Sequence, residues 1–434
     1  MSITKIEALY GSEAVEQERQ RYNLLAGELS ACTGLDDTVR FFSAPGRTEL
    51  GGNHTDHNRG RVLAASIQMD AAAVAARRND HKVFFRSAGF PDIHLDLYKE
   101  DSTLDLDPRP EEKETSNALV RGIIAGFAGR GVQVGGFSAI ASNKVLIGSG
   151  LSSSAAIEVL IAKIIDCLYG EGKCTAIELA QISQKAENVY FGKPCGLMDQ
   201  TASATGGAVA IDFADPGAPL VRRIEFDPLA AGYALCVVNT RGSHADLTPD
   251  YAAIPREMQA VAQFFGKSYL RELGLPQVLS AADEIRKSAG DRALLRAIHF
   301  FNEDARAGTM ADLLDELNNA DQGRKPDIML RFLNLVNESG NSSWQLLQNI
   351  YSPREPHAQE LSLALAVTRE FLDAHRLPGA CRVHGGGFAG TIQAYIPVSM
   401  LETYRTQMEV LFGADALTVL RIRPAGATEV VIDG

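Results

Sequence analysis

Gly148-Ser149-Gly150-Leu151-Ser152-Ser153-Ser154-Ala155-Ala156 runs directly into the apolar stretch Ile157–Tyr169. Glycines let a backbone turn tightly and bring its N–H groups close to a ligand. The serines fall where a helix begins, and there the unpaired N–H groups and the helix dipole favour an anion. Their hydroxyls can also reach a phosphate oxygen or a metal ion. A serine N-cap after a flexible turn is the bland alternative. Three consecutive serines between two glycines and a buried-looking helix exceed what a cap needs. The sequence has no GxxxxGK[ST] loop and no HRD or DFG signature, so neither a Walker-type site nor a protein kinase is indicated.

Outward from this turn, residues 13–32 read as a helix leading to a short strand at Val39-Arg40-Phe41-Phe42, which ends at Ala44-Pro45-Gly46. Strand patterns recur at 62–65, 71–76, 82–86 and 93–97, and helical ones at 117–129, 153–169 and 175–190. A strand at 208–212 follows. Pro216 and Pro219 mark 212–220 as the joint between two halves, residues 1–215 and 216–434. The second half reads as helices near 255–265, 281–288, 291–304, 310–319, 328–336 and 359–375, closing with strands at 391–396, 419–422 and 430–432. Strands with segregated helices predict an α+β fold in two lobes.

The chain has 434 residues, enough for two cores. A net charge of −12 argues against a nucleic-acid partner, which needs a basic face. It does not exclude a nucleotide, because backbone N–H groups and one Mg²⁺ can neutralise a triphosphate locally. No run of 18 apolar residues suggests a membrane span, and the N-terminus lacks a signal-peptide core. Six scattered cysteines without a CxxC pair read as thiols in a reducing, cytoplasmic setting. No feature indicates an oligomeric state.

A second constellation occupies Ser43 to Asn58: SAPGRTELGGNHTDHN. It gathers a cation, acids, imidazoles and amides in a glycine-rich segment with few apolar residues. Sugar hydroxyls each donate and accept, so a sugar site needs Asp and Asn acceptors beside His and Arg donors. A polar surface loop is the alternative. His54-x-Asp56 also suggests metal ligands, but no third and fourth ligand follow at a recognisable spacing.

Together these segments resemble the galactokinase branch of the GHMP small-molecule kinases. The first is similar to that family's sugar signature GRxxLxGxHTD, carried by Gly46, Arg47, Leu50, Gly52, His54, Thr55 and Asp56. Gly148, Ser149, Gly150, Leu151, Ser152, Ser153, Ser154 and Ala155 resemble its phosphate loop. Glu187 with Pro194-Cys195-Gly196-Leu197-Met198-Asp199-Gln200, and the late segment Gly385–Gly390, are similar to two further motifs. Asn239, His244 and Tyr251 follow the family's order and spacing.

The resemblance implies a two-lobed fold with its site in the cleft, and ATP-dependent phosphorylation of the anomeric hydroxyl of galactose. Asp199 would accept or orient that hydroxyl's proton, and Arg47 would stabilise the transferring phosphoryl group. Glu187 with Ser153 or Ser154 would hold Mg²⁺. Asn53, His54, Asp56, Gly196 and Tyr251 would contact the sugar. Asn53 stands where the family carries a glutamate for the 6-hydroxyl, and Arg59 and Arg61 stand where small or apolar residues are usual. Ser116 and Leu119 replace two aromatics near the nucleotide base, and Leu146 a proline. A looser C6 end follows, with a galacturonate-type kinase as the alternative. A sensor that binds sugar and nucleotide without catalysis is the reading from another class. Retention of Arg47, Asp199, Glu187 and the serines favours the enzyme.

Overall fold

The alanine-rich segment Arg61–Arg77 is the spine of the molecule. A computed structural model describes residues 3–34, 39–99, 103–146, 148–242 and 247–432. Its strands are, in chain order, β1 (Ile3–Lys5), β2 (Arg40–Gly51), β3 (Arg61–Arg77), β4 (Lys82–Ser87), β5 (Ile93–Asp96), β6 (Phe137–Asn143), β7 (Ala208–Asp212), β8 (Leu220–Ile224), β9 (Tyr233–Asn239), β10 (Ala380–Val383), β11 (Thr391–Pro397), β12 (Leu417–Leu420) and β13 (Thr428–Val431). Among the described residues, nine of them form one mixed sheet, ordered β1-β13-β2-β3-β6-β4-β5, with β7 on β3 and β8 on β7. The other four form an antiparallel sheet, β10-β11-β9-β12. Helices cover these sheets, as an α+β fold requires.

Alternation explains why β3 is a strand despite alanine's preference for helix. Ala71, Ala73 and Ala75 face the main core, while Ala72, Val74 and Ala76 face the core beneath the helix Val15–Thr33. Small side chains on both faces let layers approach closely from either side. The helix Ser153–Tyr169 is buried nearly all round, which explains its continuous apolar sequence. Its one buried cation, Lys163, pairs with Asp166 at 3.0 Å.

Several expectations change. Ala44-Pro45-Gly46 does not end a strand: β2 runs on to Gly51 with a register shift between Pro45 and Arg47. A proline has no N–H to give a ladder, so a bulge accommodates it. The separate helices at 291–304 and 310–319 are one helix, Asp291–Asn319. Its Gly308 is no breaker but a place of close approach, where an added Cβ would lie 2.7 Å from the Arg61 guanidinium. The 212–220 segment is the turn of the β7–β8 hairpin, so the boundary expected at 215/216 falls inside the first sheet. The chain leaves that sheet after Ile224 and returns to it as β13 beside β2. Among the described residues no helix is long and apolar enough to cross a membrane.

Candidate active site

Gly46 lets the phosphate-loop candidate lie directly on β2. A Cβ there would meet the Leu151 carbonyl and a Val145 methyl, both at 2.8 Å. The next residue uses this closeness: Arg47 N–H donates to Leu151 O at 3.0 Å, and its guanidinium donates to Gly150 O. Arg47 Nε also donates to Asp199 Oδ1 at 2.7 Å. The second carboxylate oxygen of Asp199, in the first turn of the helix Met198–Thr205, accepts from the Ser152 hydroxyl. Burial would raise the Asp199 carboxyl. The Arg47 charge and the hydrogen bonds from Arg47 and Ser152 outweigh it and hold the group below its ordinary value. The site therefore contains an ionised carboxylate with a fixed orientation.

Ser152 reaches Asp199 from a left-handed conformation, φ 57°, that a non-glycine residue adopts only under constraint. The other serines of the loop divide by direction. Ser149 is buried and donates to Leu146 O at 2.6 Å, so its hydroxyl is spent within the loop. Ser153 accepts from Asn143 Nδ2 at 2.7 Å, and Ser154 is exposed at the helix start. Leu151 and Ala155 are buried, which leaves only their backbone available to a ligand.

Glu187 lies in the π-helical turn Ala186–Phe191 that follows the capped helix Ala176–Lys185. It is buried, accepts from Gln200 Nε2 at 3.0 Å and has Lys193 Nζ at 3.5 Å. Gln200 donates equally to Glu158, 3.0 Å away, whose carboxyl is pushed well up by burial and by Glu187. Sequence reasoning missed Glu158, because a glutamate inside a helix reads as solvent-facing, and gave Gln200 no role beyond its place in the motif. Among the described residues no cluster of three or more His, Cys, Asp or Glu side chains forms a metal cage. One carboxylate plus serine hydroxyls is still a hard oxygen set, and it suits an ion that keeps most of its shell from phosphates and water.

The sugar-turn candidates separate into two groups. The Asp56 carboxylate lies against Gly196, where an added Cβ would come within 1.8 Å of Oδ2, and it also accepts from His57 N–H at 2.9 Å. His54, at φ 59°, donates from Nε2 to Gly386 O at 3.0 Å. Burial and the neighbouring His57 lower its pKa to about 3, so the ring is neutral. The Tyr251 hydroxyl donates to Gly387 O at 3.0 Å, its ring lies against Gly386, and it meets Phe388 edge-on. Gly385, in turn, sits where a Cβ would be 3.4 Å from the Gly150 Cα. The late glycine-rich segment thus bridges the phosphate loop and the sugar turn. His384 pins this joint through Thr48, Thr391 and Ser149 O, and burial and Arg47 lower its pKa to about 3.

Asn53 departs from expectation. Its amide donates to Glu49 at 3.1 Å and Gly385 O at 2.8 Å, and its oxygen accepts from Asn349 at 2.9 Å and Ser343 at 3.3 Å. Every polar atom of the side chain is thus turned into the protein. Arg59 stacks over Tyr269 at 4.0 Å, and Arg61 pairs with Asp304 at 2.7 Å. The Asn53 amide is turned inward and both arginines are engaged within the protein, so none of the three supplies the attraction to a C6 carboxylate that the galacturonate alternative would use. Asn239 caps a turn by accepting from Arg241 N–H, and His244 lies outside the described residues.

The family model for the GHMP kinases N terminal domain matches residues 118–207, and the galactokinase galactose-binding signature matches residues 33–77. A galactokinase of Mannheimia succiniciproducens is 30% identical over 365 residues, covering 83% of this chain and 86% of its own length. One of Streptomyces coelicolor is 30% identical over 383 residues, covering 88% and 90%. The crystal structure of Lactococcus lactis galactokinase complexed with galactose superposes with a TM-score of 0.74 at 25% identity, covering 94% of this chain and 99% of that one. A mevalonate kinase shares the fold alone, with a TM-score of 0.56 at 13% identity. A chain with this loop, this Arg–Asp pair and these relatives belongs to the galactokinase family of GHMP kinases.

Proposed function

We propose that the protein transfers the γ-phosphoryl group of ATP to the anomeric hydroxyl of galactose, giving galactose 1-phosphate and ADP. The observation that carries this reading is the Arg47–Asp199–Ser152 cluster, with the phosphate loop on one side and Asp56–Gly196 on the other. The ionised Asp199 accepts the proton of the anomeric hydroxyl as its oxygen attacks phosphorus and ADP leaves. Arg47 orients Asp199 and lies where negative charge develops on the phosphoryl oxygens. Backbone N–H groups of residues 148–155 receive the other phosphates. Glu187 with Ser153 or Ser154 would hold Mg²⁺, which would supply charge neutralisation to the triphosphate. His54, Asp56, Gly196 and Tyr251 form the sugar side. The test is an ADP-release assay over galactose, glucose, 6-deoxygalactose and galacturonate. Galactose is expected to give the highest kcat/KM, with galacturonate at background. Equal rates with all four sugars, or none above ATP hydrolysis alone, would overturn the reading.

A further inference from the structure

Beneath the sugar turn lies a buried polar group that the proposed chemistry leaves unused. Glu49 on β2 is 3% exposed and lies between Arg382 on β10, which is fully buried, and Asn53, which is 1% exposed. Arg382 donates to Glu49 Oε1, and the Asn53 amide donates to both Glu49 oxygens, at 3.1 and 3.4 Å. The two sheets therefore meet through one carboxylate shared by a guanidinium and an amide.

Asn53 also carries this contact to the substrate side. Its amide holds Gly385 O, while Asn349, which donates to Asn53 Oδ1, also donates to Gly386 O at 3.1 Å. His54, the next residue, donates to that same Gly386 carbonyl. The neighbours Asn53 and His54, together with the distant Asn349, thus converge on two adjacent carbonyls of the segment that contacts Gly150 and Tyr251. The Asn53 backbone is fixed as well, with its N–H facing Glu303 at 3.4 Å and its carbonyl accepting from His299 Nε2 at 2.9 Å.

We infer that Glu49, Asn53 and Arg382 are a positioning unit that sets the sugar turn against the glycine-rich segment. The unit needs one carboxylate and one amide facing each other, whichever of the two positions carries which. This rests on the sugar-binding role proposed above for His54 and Asp56. The family's glutamate at position 53 is then present here in another place: its charge is supplied from position 49, four residues earlier. A glutamate added at 53 alone would turn a second carboxylate toward Glu49 and the Gly385 carbonyl, in place of the amide that now donates to both. Removing Glu49 alone leaves Arg382 buried without its anion, and a buried charge without a partner is strongly destabilising. Exchanging both restores one anion, one amide and one cation.

The test is the four-member set of parent, Glu49→Asn, Asn53→Glu and the double exchange, read by melting temperature and by KM for galactose and for ATP. Each single change is expected to lower the melting temperature and raise galactose KM by roughly tenfold or more, with ATP KM within about threefold. The double exchange is expected to recover both quantities to within about threefold in KM, a non-additivity that only coupled residues show. Additive losses in the double variant would overturn the inference, and so would single variants that melt lower while keeping the parent's galactose KM. If a single variant does not fold, Asn53→Ser replaces it, again with galactose KM rising and ATP KM held. Both constants moving together, or neither, would contradict the positioning role. Coupling in melting temperature needs no substrate, and galactose-induced stabilisation of the parent reports on the sugar site itself. Failure of the network and failure of the sugar reading are thereby told apart.

Discussion

Asp199 shows how one side chain is given a single task. Its two oxygens accept from Arg47 and Ser152, so its charge persists despite partial enclosure. Asp199→Asn keeps the shape and removes both the charge and the proton acceptor. Turnover is expected to fall by about 10²–10⁴, the range for a lost general base, with ATP KM nearly unchanged. Near-parental turnover in a folded variant would remove Asp199 from the chemistry. Gly196 offers a separate test of the sugar side. Gly196→Ala drives a methyl into the Asp56 carboxylate, so galactose KM is expected to rise by roughly tenfold or more, while ATP KM holds. Parallel changes in both constants would mean a general distortion instead. The polar crowding of the glycine-rich segment Ser43–Asn58 marks Arg47, His54 and Asp56 as candidates in the sequence, whereas Asp199, in the largely apolar Pro194–Gln200, stands out only through the family resemblance. The inward turn of Asn53 was not, since its partners Asn349, Ser343 and Gly385 lie about three hundred residues away in the chain.

At the scale of elements, the helix Ser153–Tyr169 begins where the serines and apolar run place it, and its first turn carries the loop. β2 and β3 were legible only in pieces, because Pro45 and the alanines weaken the local signal that the two-faced burial of these strands overrides. The strands β1, β6, β8, β9 and β10 escaped notice for a related reason: their conformation comes from pairing with neighbours that the sequence does not reveal. The loop serines and Glu187 belong to different helical segments, so metal use tests their proposed cooperation. Glu187→Gln is expected to raise the Mg²⁺ concentration needed for half-maximal rate, since a neutral amide oxygen is a poorer ligand for a hard cation. Ser153→Ala with Ser154→Ala is expected to raise it further. Mg²⁺ titrations that overlay the parent curve for all these variants would place the metal elsewhere.

Across the whole molecule, the two sheets are joined by neutral histidines as well as by the Glu49–Arg382 pair. His54 and His384 each have a pKa of about 3, lowered first by burial, and His299 is lowered in the same way. Each folded value lies below that of the unfolded chain, so their stabilisation is complete above about pH 6.5. It is lost as pH falls toward 3, at up to about 1.4 kcal/mol per pH unit per group. Glu158, pushed upward by burial, works in the opposite sense and softens the loss. The melting temperature is therefore expected to drop between pH 7.5 and 5.5, and His384→Gln should drop less over that interval than the parent. Identical slopes would show that His384 does not titrate on unfolding. The α+β plan itself was readable from the strands with their segregated helices, whereas the return of β13 to the first sheet was not, because nothing local marks a strand's partner. The central claim, phosphoryl transfer to the anomeric oxygen of galactose, is tested most directly by phosphorus NMR of the product formed from galactose and Mg²⁺–ATP. The predicted result is a sugar phosphate whose phosphorus couples to the anomeric proton, formed in step with ADP. A phosphate on any other carbon, or ADP with no sugar phosphate, would contradict it.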